Sequence, residues 1–164
     1  MMPTVTIAPV RKTLHVNLPR EKAFDLFAKG IDRWWPRARH IGPSPMKAAI
    51  IEPFAGGRWY HACEDGSDSN IGHVLVWQPP ERLTLVWEID GDWHYDPGTV
   101  TEVDVGFIAE SATSTRIEFE HRNLDRLRDK AEAFRKSVDG GWSAVLECFV
   151  NMAADTPSLD TSSP

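Results

Sequence analysis

The sequence predicts a single α+β domain in which a curved antiparallel sheet of about seven strands wraps around a long C-terminal helix. Between residues 46 and 121, short segments of alternating apolar and polar residues are separated by Gly, Pro, Asp and Ser clusters. This pattern is typical of an antiparallel meander. A further alternating segment lies near the N-terminus, and the last apolar stretch has helical spacing. Because the apolar face of such a sheet has to be covered, we expect this helix to cover it.

The N-terminal part predicts one strand followed by a short helix. The strand runs from Val10 to Leu18, where every second residue is suited to the interior. Pro19 ends the strand and is well placed to begin a helix. Apolar residues then recur at helical spacing, and Gly30 interrupts them before one further turn. The helix should bury Ala23, Phe24, Phe27 and Ile31.

The central part predicts six strands. They are expected at Met46–Glu52, Arg58–Cys63, Gly72–Trp77, Leu83–Ile89, Val100–Ala109 and Thr115–His121. Their alternation assigns an inner, apolar face that includes Leu85, Trp87, Val105, Phe107, Ile117 and Phe119. The other face is expected to be wet and acidic, with Glu102, Asp104, Glu118 and Glu120. These carboxylates are interpreted as a solvated surface, the alternative being a docking surface for a basic partner.

The C-terminal part predicts two helices. The first spans Leu124–Val138, and the second begins at Gly140 and Gly141 after an Asp139 cap and ends near Ala154. The domain therefore covers residues 10–154. Residues 1–9 form an N-terminal segment, and residues 155–164 are predicted to be a disordered tail.

Composition excludes several classes of function. The 164-residue chain has a net charge of −6, which opposes binding to nucleic acid. It has no apolar run of the roughly 20 residues that a membrane span requires, and no signal-peptide pattern begins it, so we predict a cytoplasmic protein. Cys63 and Cys148 lack the spacing of a metal or redox motif and are expected to be reduced thiols.

Five motifs occur in the order that one known family shows. They are Phe24-Asp25-Leu26-Phe27 with Trp34-Trp35, the run from Glu52 to Trp59, Gly72-His73-Val74, the Pro79-Pro80-Glu81-Arg82-Leu83 turn leading to Trp87, and Gly140-Gly141-Trp142. From Val10 to Ala154 the chain thereby resembles the homologues of the heat-shock-protein-90 ATPase activator, within the START-like (SRPBCC) superfamily. The resemblance implies a helix-grip fold. It also implies a co-chaperone-like alternative function, because that family includes a co-chaperone domain.

The leading functional hypothesis is a non-catalytic binding domain. Its apolar cavity would take a small hydrophobic or aromatic molecule, because many large aromatic residues point to one interior. No cofactor, metal or catalytic group is predicted, and the oligomeric state is left open between monomer and homodimer. The expected cavity residues are Trp59, His61, Trp87, Val105, Phe107, Trp142, Val145 and Phe149.

Four further possibilities stand beside this hypothesis. His61, Cys63 and His73 form a zinc or copper site if they converge. The loop of residues 90–98, with Trp93 and Tyr95, is either a cavity entrance or a segment whose aromatic rings fold back onto the sheet, and its three aspartates weakly resemble a calcium loop. A chaperone partner would instead be bound through an exposed patch at Trp34-Trp35 or Trp93, and an enzyme would need His61, His73 or His94 as acid or base.

Overall fold

A computed structural model describes residues 7–39 and 44–156. Seven antiparallel strands form one sheet in the order β1-β7-β6-β5-β4-β3-β2. The predicted α+β helix-grip architecture is therefore confirmed. The strands are β1 (Val10–Val16), β2 (Met46–Ile51), β3 (Arg58–Cys63), β4 (Asp68–Gln78), β5 (Arg82–Trp87), β6 (Thr101–Ser111) and β7 (Ser114–Arg122).

The inner face of the sheet follows the predicted alternation. Val105 lies opposite Leu83 on one neighbouring strand and opposite Phe119 on the other, and all three are buried. Successive residues of a strand point to opposite faces, so this register aligns the apolar residues of β5, β6 and β7 on one side. The six residues expected to face inward are all buried, as the sequence predicts: Leu85, Trp87, Val105, Phe107, Ile117 and Phe119.

The outer face carries the four expected carboxylates, which are partly or fully exposed. Its carboxylates are paired, for example Asp104 with Arg82 at 2.8 Å and Glu102 with Arg122 at 2.9 Å. On β5 the outward side chains are themselves buried, because long neighbouring side chains cover a central strand; the Thr84 hydroxyl, for instance, donates to Asp104. The paired charges do not favour a docking surface for a basic partner.

Two helices near the N-terminus close one end of the sheet. They are α1 (Arg20–Ala28) and α2 (Ile31–Trp34), followed by a 3-10 helix at Arg37–Arg39. Phe24 and Phe27 of α1 pack edge-on against Phe107 of β6, with ring centroids 5.1 and 5.7 Å apart. The Trp34 indole N–H donates to the Leu26 carbonyl at 2.9 Å, which ties α2 back to α1.

The C-terminal helix is longer than predicted. A 3-10 helix at Leu124–Lys130 leads into α3 (Ala131–Ala154), a continuous helix of 24 residues. The expected break at Gly140 is wrong, and Asp139 is an internal residue that pairs with Lys12 at 2.7 Å. Each glycine costs a helix about 1 kcal/mol relative to alanine. The buried stripe of α3 offsets this cost, since Phe134, Val138, Trp142, Val145 and Phe149 are all buried.

One glycine is required by the close approach of two strands. Gly72 of β4 lies opposite Trp87 of β5. A Cβ atom at this position would stand only 1.7 Å from the Val86 carbonyl oxygen, a distance that no side chain tolerates. Glycine at residue 72 therefore allows β4 and β5 to approach at the point where Trp87 enters the interior.

Residues 157–164 of the predicted disordered tail lie outside the described residues. Within the described part of the chain, no helix combines the length and the apolar character needed to cross a membrane.

Candidate functional site

A cleft of about 300 Å³ lies between α3, the segment that follows α2, and the loop between β5 and β6. Helix α3 forms one wall, the Trp35–Arg39 segment forms another, and Trp87 and Trp93 complete it. This volume is at the lower end of the range of pockets that take small molecules. The described lining residues are Trp35, Ala38, Arg39, Trp87, Trp93, Ser137, Val138, Gly141, Trp142 and Val145.

Four of the chain's seven tryptophans line this cleft. Trp142 is central, with its ring centroid 5.8 Å from that of Trp87 and 5.9 Å from that of Trp35. The indole N–H groups of Trp35, Trp87 and Trp142 donate to protein acceptors, so their polar atoms are satisfied. Their rings therefore contribute mainly apolar surface to the cleft.

Trp93 forms the outer wall. It lies on the β5–β6 loop with a φ of 65° and is 43% exposed. Its ring packs against Phe134 of α3 at 5.2 Å and contacts Trp87 at 6.3 Å. The adjacent Asp92 carboxylate pairs with Lys130, which fastens the loop beside α3. Trp93 thus packs back against Phe134 and Trp87 and also borders the cleft, while its role as an entrance for a ligand stays a prediction.

The aspartates of the same loop have structural roles. Asp90 accepts hydrogen bonds from the backbone N–H groups of Asp92 and His94, and both bonds are 2.9 Å long. These bonds lower the pKa of Asp90. Asp96 likewise accepts from the Gly98 N–H. Asp90 and Asp96 bind different backbone N–H groups, and Asp92 pairs with Lys130. The three carboxylates therefore do not converge on a calcium position.

Gly141 leaves part of the helix wall open. A Cβ atom on this residue would lie 3.7 Å from the Arg39 guanidinium, which is an ordinary contact distance. A small side chain would therefore fit, whereas a long one would extend into the cleft. By contrast, a Cβ atom on the exposed neighbour Gly140 would have no atom within 4 Å. The two glycines differ in environment although they share one helix.

Arg39 carries the charge of the cleft. It lies at the end of the 3-10 helix, where its backbone carbonyl accepts the Trp35 indole N–H at 3.0 Å. Of the described lining residues, no other is charged, and Ser137 supplies a hydroxyl. As far as its described lining residues go, the cleft is therefore an aromatic surface with one cation at its edge.

Behind Trp142 lies a buried histidine that the sequence interpretation placed on β7 without a role. The Trp142 indole N–H donates to Nδ1 of His121 at 3.1 Å, so Nδ1 is an acceptor and the proton of the neutral ring is on Nε2. Nε2 then donates to the Thr101 hydroxyl at 2.9 Å. Burial lowers the pKa of His121 to about 3. The sequence did indicate that His121 is buried. This residue alternates with Ile117 and Phe119, and all three point inward.

The structure distributes the eight expected cavity residues over two regions. Three of them, Trp87, Trp142 and Val145, line the cleft. Five lie deeper in the packed core and are at most 2% exposed: Trp59, His61, Val105, Phe107 and Phe149. Trp59 packs against Trp87 at 5.6 Å and His61 against Trp35 at 5.4 Å, so both support the cleft from behind.

Several cleft residues were not among those expected. Trp35 was assigned to a possible surface patch, but it is buried, as is Trp34. Gly141 was interpreted as a helix start, and Arg39 was assigned no role. Their proximity depends on how α2 packs against α3, which local periodicity does not specify.

His61, Cys63 and His73 do not converge. His61 and Cys63 are buried on the inner face of β3. His73 lies on the outer face of β4, half-exposed, with its Nδ1 atom 3.2 Å from a Glu88 carboxylate oxygen. No group of three or more metal-ligating side chains occurs in residues 7–39 and 44–156.

Comparison with known proteins identifies relatives of the whole domain. The family model described as "Activator of Hsp90 ATPase homolog 1-like protein" matches residues 17–154. No curated protein matches. Among solved structures, the anthrahydroquino-γ-pyrone synthase Txn09 is 34% identical over 89% of this chain and 97% of its own, with a TM-score of 0.63.

Two further structures show the same fold. CalC from Micromonospora echinospora, described as a self-sacrificing resistance protein, is 28% identical over 90% of this chain and 94% of its own, with a TM-score of 0.70. MLL2253 from Mesorhizobium loti is 17% identical over 92% and 99%, with a TM-score of 0.62. Since the family model spans most of the domain, the chain belongs to the family of activator of Hsp90 ATPase homolog 1-like proteins.

Proposed function

We propose that this protein is a non-catalytic binding domain that holds one planar aromatic small molecule in the tryptophan-lined cleft. The observation that carries the proposal is the arrangement of Trp35, Trp87, Trp93 and Trp142 around about 300 Å³ of space. Flat aromatic rings pack on such surfaces by stacked or edge-on contacts and release water from apolar area. Trp93 is the wall that a ligand would meet first, because it is the exposed one of the four.

The similarity to Txn09 supports the choice of ligand class. That relative is named for a product with fused aromatic and pyrone rings, and it aligns with 89% of this chain. We therefore propose that the ligand here is a fused-ring aromatic compound. Ligands of that shape match the cleft better than long aliphatic chains, since its walls are mostly indole rings.

The proposal of binding without turnover rests on the side chains around the cleft. Arg39 and Ser137 are the polar side chains among the described lining residues, and an arginine is too basic to exchange protons near neutral pH. His121 is fully buried, and both of its ring nitrogens are hydrogen-bonded. A general acid or base has to reach the reacting atom, and neither nitrogen is available to do so. Mass spectrometry of the ligand after long incubation with the protein should recover it unchanged.

The chaperone-interaction alternative has less support. Trp34 and Trp35, which were candidates for an exposed contact patch, are buried. Trp93 is exposed, but it borders the cleft. The cleft therefore accounts for the exposed tryptophan without a protein partner.

Gly141→Leu should weaken binding of a neutral probe, 9-anthracenemethanol, at least 10-fold, because the leucine side chain would extend from α3 into the cleft. Tryptophan fluorescence and calorimetry measure the affinity and the stoichiometry, for which we expect one probe per wild-type chain. Gly140→Leu is the matched control. It makes the same change in the same helix, at an exposed position whose Cβ has no neighbours within 4 Å.

Both leucine variants should gain slightly in helix stability, so loss of folding would not explain a difference between them. Equal affinity in Gly141→Leu and Gly140→Leu would contradict binding in this cleft. Absence of probe binding to the wild-type protein would contradict the proposed function.

A further inference from the structure

We infer that the natural ligand of the cleft is an anion, a fused-ring aromatic compound with a carboxylate or comparably acidic group that pairs with Arg39. This inference rests on the proposed function and specifies the chemical class of its ligand. It follows from the position of Arg39, from the charges that surround it, and from the space beside it.

The backbone of Arg39 is fixed at the edge of the cleft by two hydrogen bonds. The Arg39 N–H donates to the Pro36 carbonyl, and the Arg39 carbonyl accepts the Trp35 indole N–H. The buried Trp35 ring thereby anchors the residue that carries the guanidinium. On the helix side, the guanidinium lies close to Gly141, since a Cβ there would be 3.7 Å from Nη1 of Arg39, an ordinary contact distance. The guanidinium and the aromatic walls thus border the same space.

Arg39 is one of the arginines without a carboxylate partner among the described residues. The protein is acidic, and six of its twelve arginines pair with carboxylates at 3.3 Å or less: Arg11 with Glu120, Arg37 with Asp32, Arg58 with Asp68, Arg82 with Asp104, Arg116 with Glu118, and Arg122 with Glu102. Within residues 7–39 and 44–156, the Arg39 guanidinium has no ion pair or hydrogen bond. No carboxylate is among the described lining residues either.

A guanidinium is suited to recognising a carboxylate. Its N–H groups form a planar fork that binds both oxygens, and such charge-assisted bonds are stronger than neutral ones. Arg39 is exposed at the edge of the cleft, so dissolved salt would screen this bond. The aromatic body of a ligand would then contact the tryptophans while its anionic group faces Arg39.

The test compares two probes that share one ring system. Anthracene-9-carboxylate is anionic at neutral pH, whereas 9-anthracenemethanol is neutral and of similar size. We expect wild-type protein to bind the carboxylate about 10-fold more tightly at low salt, with the difference shrinking as sodium chloride is added. Arg39→Gln should remove this preference, so that the variant binds the two probes with similar affinity.

Arg33→Gln is the matched control. It removes the same charge from an exposed arginine of α2 that does not line the cleft, and it should keep the preference for the carboxylate. Thermal unfolding of both variants establishes that they are folded.

The outcomes separate the two proposals. If wild-type protein binds both probes equally, the anion inference is wrong while binding in the cleft stands. Equal weakening of both probes by Arg39→Gln would mean that the guanidinium stacks on the ring, which also overturns the inference. If the wild-type protein binds neither probe, the proposed function itself is wrong.

Discussion

Replacing Trp142 by alanine should lower the free energy of unfolding by about 3–5 kcal/mol, measured by urea denaturation at pH 7. Trp142 is 5% exposed and packs against Phe119 at 4.7 Å, Trp87 at 5.8 Å and Trp35 at 5.9 Å. Its removal leaves a cavity between α3 and the sheet. It also removes the indole donor to His121.

The matched control is Trp93→Ala, which makes the same chemical change at a tryptophan that is 43% exposed. We expect it to cost about 1 kcal/mol, because less buried area is lost. A loss below about 1 kcal/mol for Trp142→Ala would contradict the packing of α3 described here. Trp142→Phe separates the two contributions, since it keeps much of the ring and removes the N–H donor.

Acid should destabilise the protein through His121. Its pKa in the folded state is about 3, below the usual value of 6.5. Between these two pH values, His121 therefore binds a proton in the unfolded chain but not in the folded chain. The free energy of unfolding consequently falls as the pH falls from about 6.5 to about 3. The expected contribution is a loss of about 2 kcal/mol between pH 7 and pH 5, and about 4 kcal/mol by pH 3.

Comparison of variants isolates this effect from that of the carboxylates. Glu110 and Asp139, whose pKa values are lowered mainly by hydrogen bonds to His15 and Lys12, also lose stabilisation at low pH. His121→Gln should flatten the dependence between pH 7 and pH 5. His15→Gln removes an exposed histidine that pairs with Glu110, so it measures the part of the dependence that this pair contributes. Nuclear magnetic resonance should find the His121 ring still neutral at pH 5, and a protonated ring there would refute this account.

Much of the fold was predictable because the strands alternate in the way that a half-buried sheet requires. The inward face of β5 could be predicted without any structure, since every second residue there is large and apolar: Leu83, Leu85 and Trp87. The continuity of α3 was not predictable from Gly140 and Gly141, because local propensity opposes a helix there and only tertiary burial sustains it.

The cleft was predictable only in part. Trp87, Trp142 and Val145 were expected inside because their own elements show a clear apolar face. Arg39 lies on a three-residue 3-10 helix with no periodicity, so nothing local connects it to Gly141, which is far away in the sequence. The burial of His121 follows from alternation, but its bonds to Trp142 and Thr101 depend on the packing of α3 and on the register of β6.

The pairing of β1 with β7 bears on how the chain folds. Val10 lies opposite His121, so the first strand can pair only after the chain has been synthesised to the end of β7 at Arg122. Closing so long a loop costs more entropy than forming a hairpin such as β6 with β7. Proteins dominated by such distant contacts fold in milliseconds to seconds rather than microseconds. Until that pairing forms, β7 has a free edge, and the newly made chain is exposed to association with other chains during this interval.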